Sequence, residues 1–471
     1  MKIESPTFNS VRNALCIYPW KLGISVTNWF PPLGLEYISA SIEKTGIHTD
    51  IVDMRFENNP APLAKYPAEA ICISANWEDQ LKILPWLTKH FNTDQLIIVG
   101  GRAASFNTEE VLQNCSQVNV VIRGDGEQII TEIFSGKPLE EITGLSYRKD
   151  GKIVHNPSRH FDTTPEDICP DRIKRRYPYS IRMGRFNTGI PLDMLSSSRG
   201  CPFNCKFCTF SRNPVGEKRQ WVGRSPQSVV RELNSIEAKY ILFTDDHFAA
   251  DINRVETICD LILQNNVQKI FGVALRIEVA FHEEVLKKMF KAGFRFLSLG
   301  IESTKDKTLL EMGKGFDTNK VREACKLLRK YPFILVGYFL IGNIGEDEKD
   351  MLKITDFSNE LGLDFIYPSY LKIEKHSQLE ELLNESSVYY ADKKGFICSK
   401  RYSRDHLKSI RRRIHKRFYT IPKFLTIASK VFQNHFFSWQ DALKMSFFAW
   451  KSNRDRTKRI KEQHQSKVAR Q

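Results

Sequence analysis

The stretch Ser-Ser-Ser-Arg-Gly-Cys-Pro-Phe-Asn-Cys-Lys-Phe-Cys at residues 196–208 sets Cys201, Cys205 and Cys208 in a CxxxCxxC spacing. Three thiolates on one short loop can each bind one iron of a cubane cluster and leave the fourth iron without a protein ligand. That iron can bind and reduce a ligand, whereas a four-cysteine site mainly carries electrons or holds structure. The spacing therefore predicts a [4Fe-4S] cluster with these three cysteines as metal ligands and as the catalytic centre.

Two other uses of the loop fit less well. A zinc site takes four ligands, and no fourth cysteine or histidine lies close by in sequence. A disulfide requires an oxidising compartment, which nothing else in the sequence indicates.

The cysteine loop resembles the signature of the radical S-adenosylmethionine (SAM) enzymes. In that family the open iron binds the amino and carboxylate groups of SAM. The resemblance implies that Phe207, the aromatic residue before the third cysteine, packs beside the adenine of SAM. It also implies an electron donor, such as flavodoxin or ferredoxin.

Composition bounds the class of protein. A chain of 471 residues with 41% hydrophobic and 27% charged residues predicts two or three globular domains. No apolar run has the length of a membrane span, and residues 1–30 show no signal-peptide pattern. The other seven of the ten cysteines are scattered, which indicates a reducing, cytoplasmic location.

Much of the net charge of +15 lies late in the chain, at 411–413, 416–417 and 451–470. Such a tail can contact nucleic acid, an anionic membrane surface or an acidic partner, and it can also be a solvated helical face. No nucleic-acid-binding motif accompanies it, so binding to nucleic acid is not predicted.

Residues 14–130 alternate between short apolar runs and amphipathic stretches, which predicts a parallel sheet with helices on both faces. The predicted strands are 14–18, 49–53, 70–74, 95–99 and 118–123. Ligands of such sheets bind beyond the carboxyl ends of the strands. The loops at those ends contain Pro31-Pro32-Leu33-Gly34, Ser74-Ala75-Asn76-Trp77, Gly100-Gly101-Arg102-Ala103 and Gly124-Asp125-Gly126-Glu127.

Taken in order, these loops resemble the cobalamin-binding domain that precedes one large class of radical SAM enzymes. The resemblance implies that this domain binds cobalamin. Aspartate stands at 125, where the family often has glutamate, and the DxHxxG motif that supplies a cobalt ligand elsewhere is absent. A Rossmann-like domain that binds no cofactor is the alternative. The implied cobalamin-binding residues are Pro32, Gly34, Ser74, Asn76, Gly100, Gly101, Gly124, Gly126 and Glu127.

Residues 144–157 are predicted to form a hairpin around Asp150-Gly151 that closes the first domain. The domain boundaries predicted from these patterns are 1–160 for the Rossmann-like domain, 161–190 for a linker, 191–375 for a partial (β/α)6 TIM-type barrel and 376–471 for a basic, helical C-terminal region. The fold class is α/β throughout the first two domains.

The central segment alternates strand and helix patterns six times, and functional groups of a barrel lie at the carboxyl ends of its strands. The predicted strands are 193–196, 240–244, 270–274, 296–300, 333–339 and 364–369. The resemblance implies contacts to SAM from groups at these ends. Asp245 or Asp246 would face the SAM ammonium, although a helix cap is the plainer interpretation. Arg276 would meet the carboxylate unless it forms an ion pair. Glu302 would bind the ribose hydroxyls, and Gly342 would line the adenine.

Residues 376–471 have apolar residues at helical spacing, and the aromatic side chains of this region are predicted to pack onto the barrel mouth. Those aromatics are Phe418, Tyr419, Phe424, Phe432, Phe436 and Phe437.

The predicted function is cobalamin-dependent radical SAM chemistry, with methyl transfer to an unactivated carbon. One rival is radical chemistry without methyl transfer, of the anaerobic porphyrin-ester cyclase type. Methylthiolation fits less well, because Cys16, Cys72 and Cys115 are scattered rather than clustered. A non-enzymatic cobalamin- or nucleic-acid-binding regulator would leave the cysteine loop unexplained. The sequence does not identify the substrate, and the candidate classes are small molecules, lipids, tetrapyrroles and peptides.

Overall fold

Seven strands form the first sheet of the chain, in the order β2-β1-β3-β4-β5-β6-β7. The computed structural model describes residues 10–21, 30–57, 63, 66–160, 166, 168–183, 186–210, 212–213, 216–373, 375–384, 386–392, 394–434, 436–441 and 443–444. The strands of this sheet are β1 Asn13–Tyr18, β2 His48–Asp53, β3 Ala70–Ser74, β4 Leu96–Gly100, β5 Val120–Ile122, β6 Leu145–Lys149 and β7 Lys152–His155. Its helices are α1 Leu33–Glu43, α2 Glu78–Leu81, α3 Leu84–Leu87, α4 Arg102–Phe106, α5 Thr108–Asn114 and α6 Glu127–Phe134.

The first five strands run parallel, and β6 and β7 add the antiparallel hairpin predicted around Asp150-Gly151. Alternate residues of β1 pack into different layers. Cys16 and Tyr18 pack on one face with α1 and α6, whereas Leu15 and Ile17 pack on the other with α2 to α5. This alternation follows from the two-residue period of a strand and confirms a doubly wound sheet.

A second seven-stranded sheet follows, in the order β16-β15-β14-β13-β12-β9-β8. Six of its strands are parallel and β8 is antiparallel at one edge. The edge strands β8 and β16 do not pair with each other, so the sheet is an open, partial barrel. The strands from this part of the chain, including a two-stranded ribbon of β10 and β11, are β8 Ser180–Met183, β9 Phe186–Leu195, β10 Ser198–Arg199, β11 Val222–Gly223, β12 Tyr240–Phe243, β13 Ile270–Leu275, β14 Phe294–Glu302, β15 Ile334–Ile341 and β16 Phe365–Tyr370. The helices are α7 Pro226–Ser235, α8 Ile252–Gln264, α9 Glu283–Lys291, α10 Asp306–Glu311, α11 Thr318–Leu328 and α12 Glu348–Glu360.

The two sheets confirm the predicted α/β fold class. The second sheet starts earlier than expected, since β8 and the first half of β9 occupy residues that the sequence assigned to the linker. Residues 168–179 of the predicted linker form an arginine-rich strap between the domains. Arg175 binds Glu36 of α1 at 2.6 Å and Asp193 of β9 at 2.6 Å, and Arg172 binds Asp193 at 3.1 Å.

The C-terminal region contains α13 Leu379–Asn384, β17 Tyr389–Ala391, β18 Ile397–Ser399, α14 Arg404–Phe418 and α15 Ile421–Gln433. Helix α14 packs on α12, and Tyr419 caps the edge strand β16 by hydrogen bonds to the backbone nitrogen and oxygen of Ile366, each 3.1 Å long. Residues 436–441 then reach the start of β12, where the Tyr240 hydroxyl donates to the Phe436 carbonyl and lies 3.0 Å from Asp441.

The aromatic residues of this region divide in two. Phe418 and Phe436 are buried and Tyr419 and Phe437 are partly buried, whereas Phe424 is 55% and Phe432 is 61% exposed. The prediction that all six pack on the barrel mouth is therefore wrong for Phe424 and Phe432. It is also wrong in place for Phe436 and Phe437, which pack against Phe296 and Tyr240 at the amino-terminal end of the strands, opposite the mouth. Tyr419 likewise contacts Ile366 near the start of β16. Within the described residues, no helix combines the length and apolar character needed to cross a bilayer.

Candidate active site

The cysteine loop begins directly after β10 and is fixed at both ends by backbone contacts. Gly200 has a φ of +80°, and a Cβ there would lie 2.5 Å from the Gln220 carbonyl oxygen, so the turn into the loop requires glycine. The Gly200 N–H donates to Asp246 at 3.0 Å, and the Lys206 N–H donates to the Met312 carbonyl at 3.0 Å. The loop is thereby held against the carboxyl ends of the barrel strands.

The three thiols are half-buried and outside any disulfide. Burial raises the pKa of Cys201, and it raises the pKa of Cys208 to about 11. Coordination to a metal removes such a proton outright. In the described part of the chain, no three His, Cys, Asp or Glu side chains converge as ligands of a single ion would. A cluster makes a different demand, because each thiolate binds a separate iron. The donor set therefore fits a cluster better than a single-ion zinc site.

Arg276 lies against this loop. Its Nη1 is 3.6 Å from the Cys205 sulfur, and its guanidinium lies 3.7 Å from the centre of the Phe203 ring. The same side chain pairs with Glu278 at 2.7 Å and donates to the Lys314 carbonyl. The ion-pair alternative raised by the sequence is thus realised in this structure, and the pair lies beside the cysteines rather than on the outer surface. Contact of Arg276 with the SAM carboxylate stays a prediction.

Glu302 and Phe207 meet around a residue that the sequence analysis missed. Lys314 is 3% exposed, its Nζ lies 3.4 Å from Glu302, and it is 5.9 Å from the centre of the Phe207 ring. Glu302 has a φ of +73°, an unusual conformation for a non-glycine residue and one often found at functional sites. The sequence does contain a signal for Lys314, because glycines flank it on both sides in the loop after α10. The tertiary structure thus adds a buried cation to the predicted SAM region.

The two neighbouring aspartates have different positions. Asp245 is 4% exposed and accepts from the backbone of Ser197 at 2.7 Å and of Ser198 at 2.8 Å, so it holds the turn before the cysteine loop. Burial raises its pKa to about 6. Asp246 lines the cavity between the domains, and burial raises its pKa as well. Of the two, Asp246 is placed to face a ligand.

Gly342 and the motif after it lie further along the mouth. A Cβ on Gly342 would approach Leu407 of α14 to 3.1 Å, so this glycine admits the C-terminal helix. Glu346 accepts from Ser303 at 2.6 Å and Asn343 at 2.8 Å, and burial raises its pKa to about 7. The adenine contact predicted for Gly342 is not among these contacts and stays a prediction.

A cavity of about 360 Å³ lies between the two domains, at the carboxyl ends of both sheets. Eight of the nine residues predicted to bind cobalamin line it: Gly34, Ser74, Asn76, Gly100, Gly101, Gly124, Gly126 and Glu127. The ninth, Pro32, lines an adjoining cavity of about 270 Å³ that shares Gly34, Ser74 and Asn76. From the barrel, Ser196, Ser198, Arg199, Thr244 and Asp246 line the larger cavity.

The cavity wall fits a large, flat group. A Cβ on Gly34 would meet nothing within 4 Å, and one on Gly100 would meet only Ile122 at 3.7 Å, so bare backbone forms part of the wall. Gly101 has a φ of +97°, and a Cβ there would lie 2.7 Å from the Ala75 carbonyl oxygen. No histidine lines either cavity in the described residues, which agrees with the absence of the DxHxxG motif. The side chains present are compatible with cobalamin held without a protein histidine.

Ion pairs join the loop Gly124-Asp125-Gly126-Glu127 of the first domain to the segment around the cysteine loop. Arg199 lies 3.1 Å from Asp125 and also pairs with Glu127, and Arg219 lies 2.6 Å from Asp125. Burial opposes the charge of Asp125, but Arg199 and Arg219 outweigh it and hold its pKa below the usual value. Because Arg199 is two residues before Cys201, this contact sets the cavity directly beside the cysteine loop.

Family models match both domains. Residues 19–134 match the B12 binding domain, and residues 195–358 match the radical SAM superfamily. A protein of Pyrococcus horikoshii named an uncharacterized methyltransferase is 26% identical over 436 residues, covering 88% of this chain and 93% of that protein. The anaerobic magnesium-protoporphyrin IX monomethyl ester cyclase of Rubrivivax gelatinosus is 22% identical over 396 residues, covering 79% of this chain and 69% of that enzyme.

Among solved structures, the radical SAM methyltransferase TsrM from Kitasatospora setae, with cobalamin and a [4Fe-4S] cluster bound, superposes with a TM-score of 0.66 at 16% identity, over 81% of both chains. At that identity the likeness establishes the fold alone. Together with the two domain matches and the cysteine loop, it identifies the chain as a radical SAM enzyme with an N-terminal B12-binding domain.

Proposed function

We propose that this radical SAM enzyme transfers a methyl group to an unactivated carbon with the help of cobalamin. The observation that carries the proposal is the cavity between the domains. Its wall combines the glycine loops of the B12-binding domain with barrel residues that adjoin the cysteine loop. Such a cavity would let a methyl donor and a substrate radical approach each other, as methyl transfer between them requires.

The proposed mechanism assigns the difficult chemistry to the cofactors. When bound, the cluster, SAM and cobalamin would supply reductive cleavage of SAM, a 5′-deoxyadenosyl radical and a transferable methyl group. The chain would supply ligands from Cys201, Cys205 and Cys208. It would also exclude water from the cavity, because reactive radicals must be kept from side reactions.

Other side chains would orient SAM. Asp246 lines the cavity wall and is the carboxylate best placed to accept a hydrogen bond from the SAM ammonium. Such a hydrogen bond between charged groups is stronger than one between neutral groups. Glu302 would accept from the ribose hydroxyls, and Lys314, 3.4 Å from its carboxylate, would hold that side chain in place. Phe207 would pack beside the adenine. Arg276 would bind the carboxylate by exchanging its present contact with Glu278 for the ligand.

The cobalamin contacts would be made mainly by backbone. Gly34 and Gly100 would contact the group through bare backbone, and Ser74 and Asn76, which are hydrogen-bonded to each other at 3.0 Å, would offer it polar atoms. An external electron donor, such as flavodoxin or ferredoxin, would reduce the cluster.

Radical chemistry without methyl transfer is the second candidate function. The observation favouring it is the cyclase relative, which matches 79% of this chain, although at lower identity than the methyltransferase relative. Methylthiolation gains no support from the N-terminal cysteines. Cys16 and Cys72 are in register on β1 and β3 and are buried on one face of the sheet, whereas Cys115 is buried on the other face.

The proposal is tested on protein purified without oxygen from cells supplied with cobalamin. Iron and cobalt are counted per chain, and 5′-deoxyadenosine is measured with a chemical reductant. We expect four irons and one cobalt. Cys205→Ala should abolish both iron binding and 5′-deoxyadenosine formation, whereas Cys169→Ala, which removes an exposed thiol outside the CxxxCxxC loop, should leave both unchanged.

A graded pair of variants tests the cobalamin cavity separately. Gly34→Leu points a side chain into open space at the cavity wall, so it should lose cobalt and keep iron, and Gly34→Ala should keep both. Transfer of a labelled methyl group from SAM to the cobalamin would support methyl transfer. Four irons without cobalt would refute the methyl-transfer proposal and leave the radical SAM activity. Little iron after reconstitution would contradict the cluster itself.

A further inference from the structure

Helix α15 exposes a continuous apolar face. Ile421, Phe424, Leu425 and Phe432 are 78%, 55%, 66% and 61% exposed. At 3.6 residues per turn these four side chains fall within an arc of about 100°, the width of an apolar stripe that normally faces a core. We call these four residues the α15 apolar face.

The opposite side of the helix is the one that attaches it to the barrel. Ile427 is buried, and Lys430 binds Asp364 at 2.6 Å. Tyr419 fixes the start of the helix to the backbone of β16. The orientation of α15 is therefore set by contacts on its inner side. Phe424, at the edge of the α15 apolar face, also stacks on Tyr419 at 5.8 Å between ring centres, and it still remains 55% exposed.

Exposed apolar residues concentrate here. Of the sixteen large hydrophobic side chains that are exposed in the described residues, six lie between 421 and 443, the other two being Trp439 at 87% and Leu443 at 68%. Monomers usually expose such side chains singly, and a contiguous set indicates an interaction surface. Leu443 follows Trp439 by four residues, which puts the two on the same side of a helical turn.

The same region holds the positive charge of the chain. Residues 401–471 contain 19 lysines and arginines against four aspartates and glutamates, so they account for the whole net charge of +15. Arg412 and Lys416 are exposed on α14 directly before the apolar face, whereas Arg413 and Arg417 beside them pair with Glu348 and Asp356. The sequence beyond 444 continues the pattern, with Phe447, Phe448 and Trp450 before a basic stretch.

An anionic lipid surface matches both properties together. An amphipathic helix with aromatic and aliphatic residues on one side and nearby cations lies in the interface of such a bilayer, and stable attachment needs both an apolar and a basic contribution. The phosphates of a nucleic acid would bind the cations, but this binding is electrostatic and would leave Ile421 and Leu425 without an apolar partner. A second copy of the chain would bring two strongly basic segments together, which repel.

We infer that the α15 apolar face and the cations around it bind the surface of an anionic lipid bilayer, so that the enzyme works as a peripheral membrane protein. The attachment is peripheral because the described residues contain no helix able to span a membrane. This inference goes beyond the proposed function and does not depend on it, since no cofactor takes part in the contact.

The test is cosedimentation of the full chain with vesicles. Vesicles of phosphatidylcholine with phosphatidylglycerol are compared with vesicles of phosphatidylcholine alone. We expect binding to the anionic vesicles only, and loss of most of it at about 1 M salt, where the Debye length falls to about 3 Å. Ile421→Ser with Leu425→Ser should lower the partition coefficient about tenfold, because each side chain loses part of its apolar transfer free energy.

Matched variants separate a specific surface from general stickiness. Ile173→Ser with Leu310→Ser removes the same two residue types from positions that are 97% and 80% exposed elsewhere, and it should leave binding unchanged. Arg412→Glu with Lys416→Glu should reduce binding at low salt. Unchanged thermal unfolding would show that each variant is folded.

Four results would overturn the inference. The first is the absence of binding to anionic vesicles. The second is equal loss in the Ile173 and Leu310 control. The third is retention on duplex DNA or RNA at physiological salt that the serine substitutions in α15 do not alter, which would assign the cations to a polyanion. Concentration-dependent dimerisation abolished by those substitutions would instead assign the face to a second copy.

Discussion

Replacing Arg199 by methionine removes one of the cations that join the segment around the cysteine loop to the B12-binding domain. The side chains of Arg199 and Glu127 are 17% and 9% exposed, and Nη1 of Arg199 lies 3.2 Å from the Glu127 carboxylate. Two unit charges about 4 Å apart interact by about 4 kcal/mol at an effective dielectric constant of about 20. Removing one partner also leaves a buried carboxylate uncompensated, so we expect Arg199→Met to lower the free energy of unfolding by about 3 to 5 kcal/mol.

A double-mutant cycle isolates the pair. Glu127→Gln removes the charge that Arg199 balances, while Asp125 keeps its contact with Arg219 at 2.6 Å. Arg199→Met combined with Glu127→Gln should therefore be less damaging than the sum of the single variants, with a coupling of about 2 to 4 kcal/mol. The assay is urea unfolding followed by circular dichroism and tryptophan fluorescence, with the slope of the transition checked for each variant.

The exposed pair between Arg413 and Glu348 is the control. Its side chains are 51% and 29% exposed, and it also joins elements distant in sequence. Water screens such a pair, so the cycle of Arg413→Met and Glu348→Gln should give a coupling below about 1 kcal/mol. Additivity of the Arg199 and Glu127 substitutions within about 0.5 kcal/mol would refute the view that this pair couples the two domains.

Three further predictions concern stability measured by urea unfolding. Gly101→Ala should cost about 1 to 3 kcal/mol more than Gly151→Ala, because both positions have a positive φ but only at Gly101 would the Cβ lie 2.7 Å from a carbonyl oxygen; equal costs would contradict this. Burial raises the pKa of Glu346 from 4.5 to about 7, so the folded protein binds a proton at this carboxyl more tightly than the unfolded chain does. This proton binding stabilises the folded state fully below pH 4.5, and the stabilisation is lost as the pH rises to 7. Glu346→Gln should therefore gain stability relative to the unaltered protein across that window, by up to roughly 1.4 kcal/mol per pH unit, and a difference independent of pH would count against the buried carboxyl. Tyr419→Phe should cost about 1 to 2 kcal/mol through its lost hydrogen bonds to Ile366, whereas Tyr390→Phe, at a 47% exposed position, should change stability by less than about 0.5 kcal/mol.

Local pattern alone was enough for the fold class and the cofactor type. The spacing of Cys201, Cys205 and Cys208 depends on a single loop, so its chemistry can be read without tertiary structure. Strand and helix periods likewise depend on residues a few positions apart, and they predicted the alternation of strands and helices along both α/β segments of the chain. Glycine positions at strand ends predicted a ligand cavity for the same reason, because close backbone approach is a local property.

Other features depend on residues far apart in the chain. The pairing of Arg199 with Glu127 joins positions 72 residues apart, and the sequence predicted a cofactor role for Glu127 without this partner. The different surroundings of Asp245 and Asp246 and the burial of Lys314 also depend on which loops meet at the barrel mouth.

The C-terminal region shows the same division between pattern and packing. Helical spacing placed apolar residues on the faces of α15, but only tertiary contacts decided which of these faces is covered. Ile427 is buried, whereas Phe424 and Phe432 are exposed. A periodic pattern fixes the face on which a residue lies, but burial requires a neighbouring surface, and the chain supplies that surface only after it has folded.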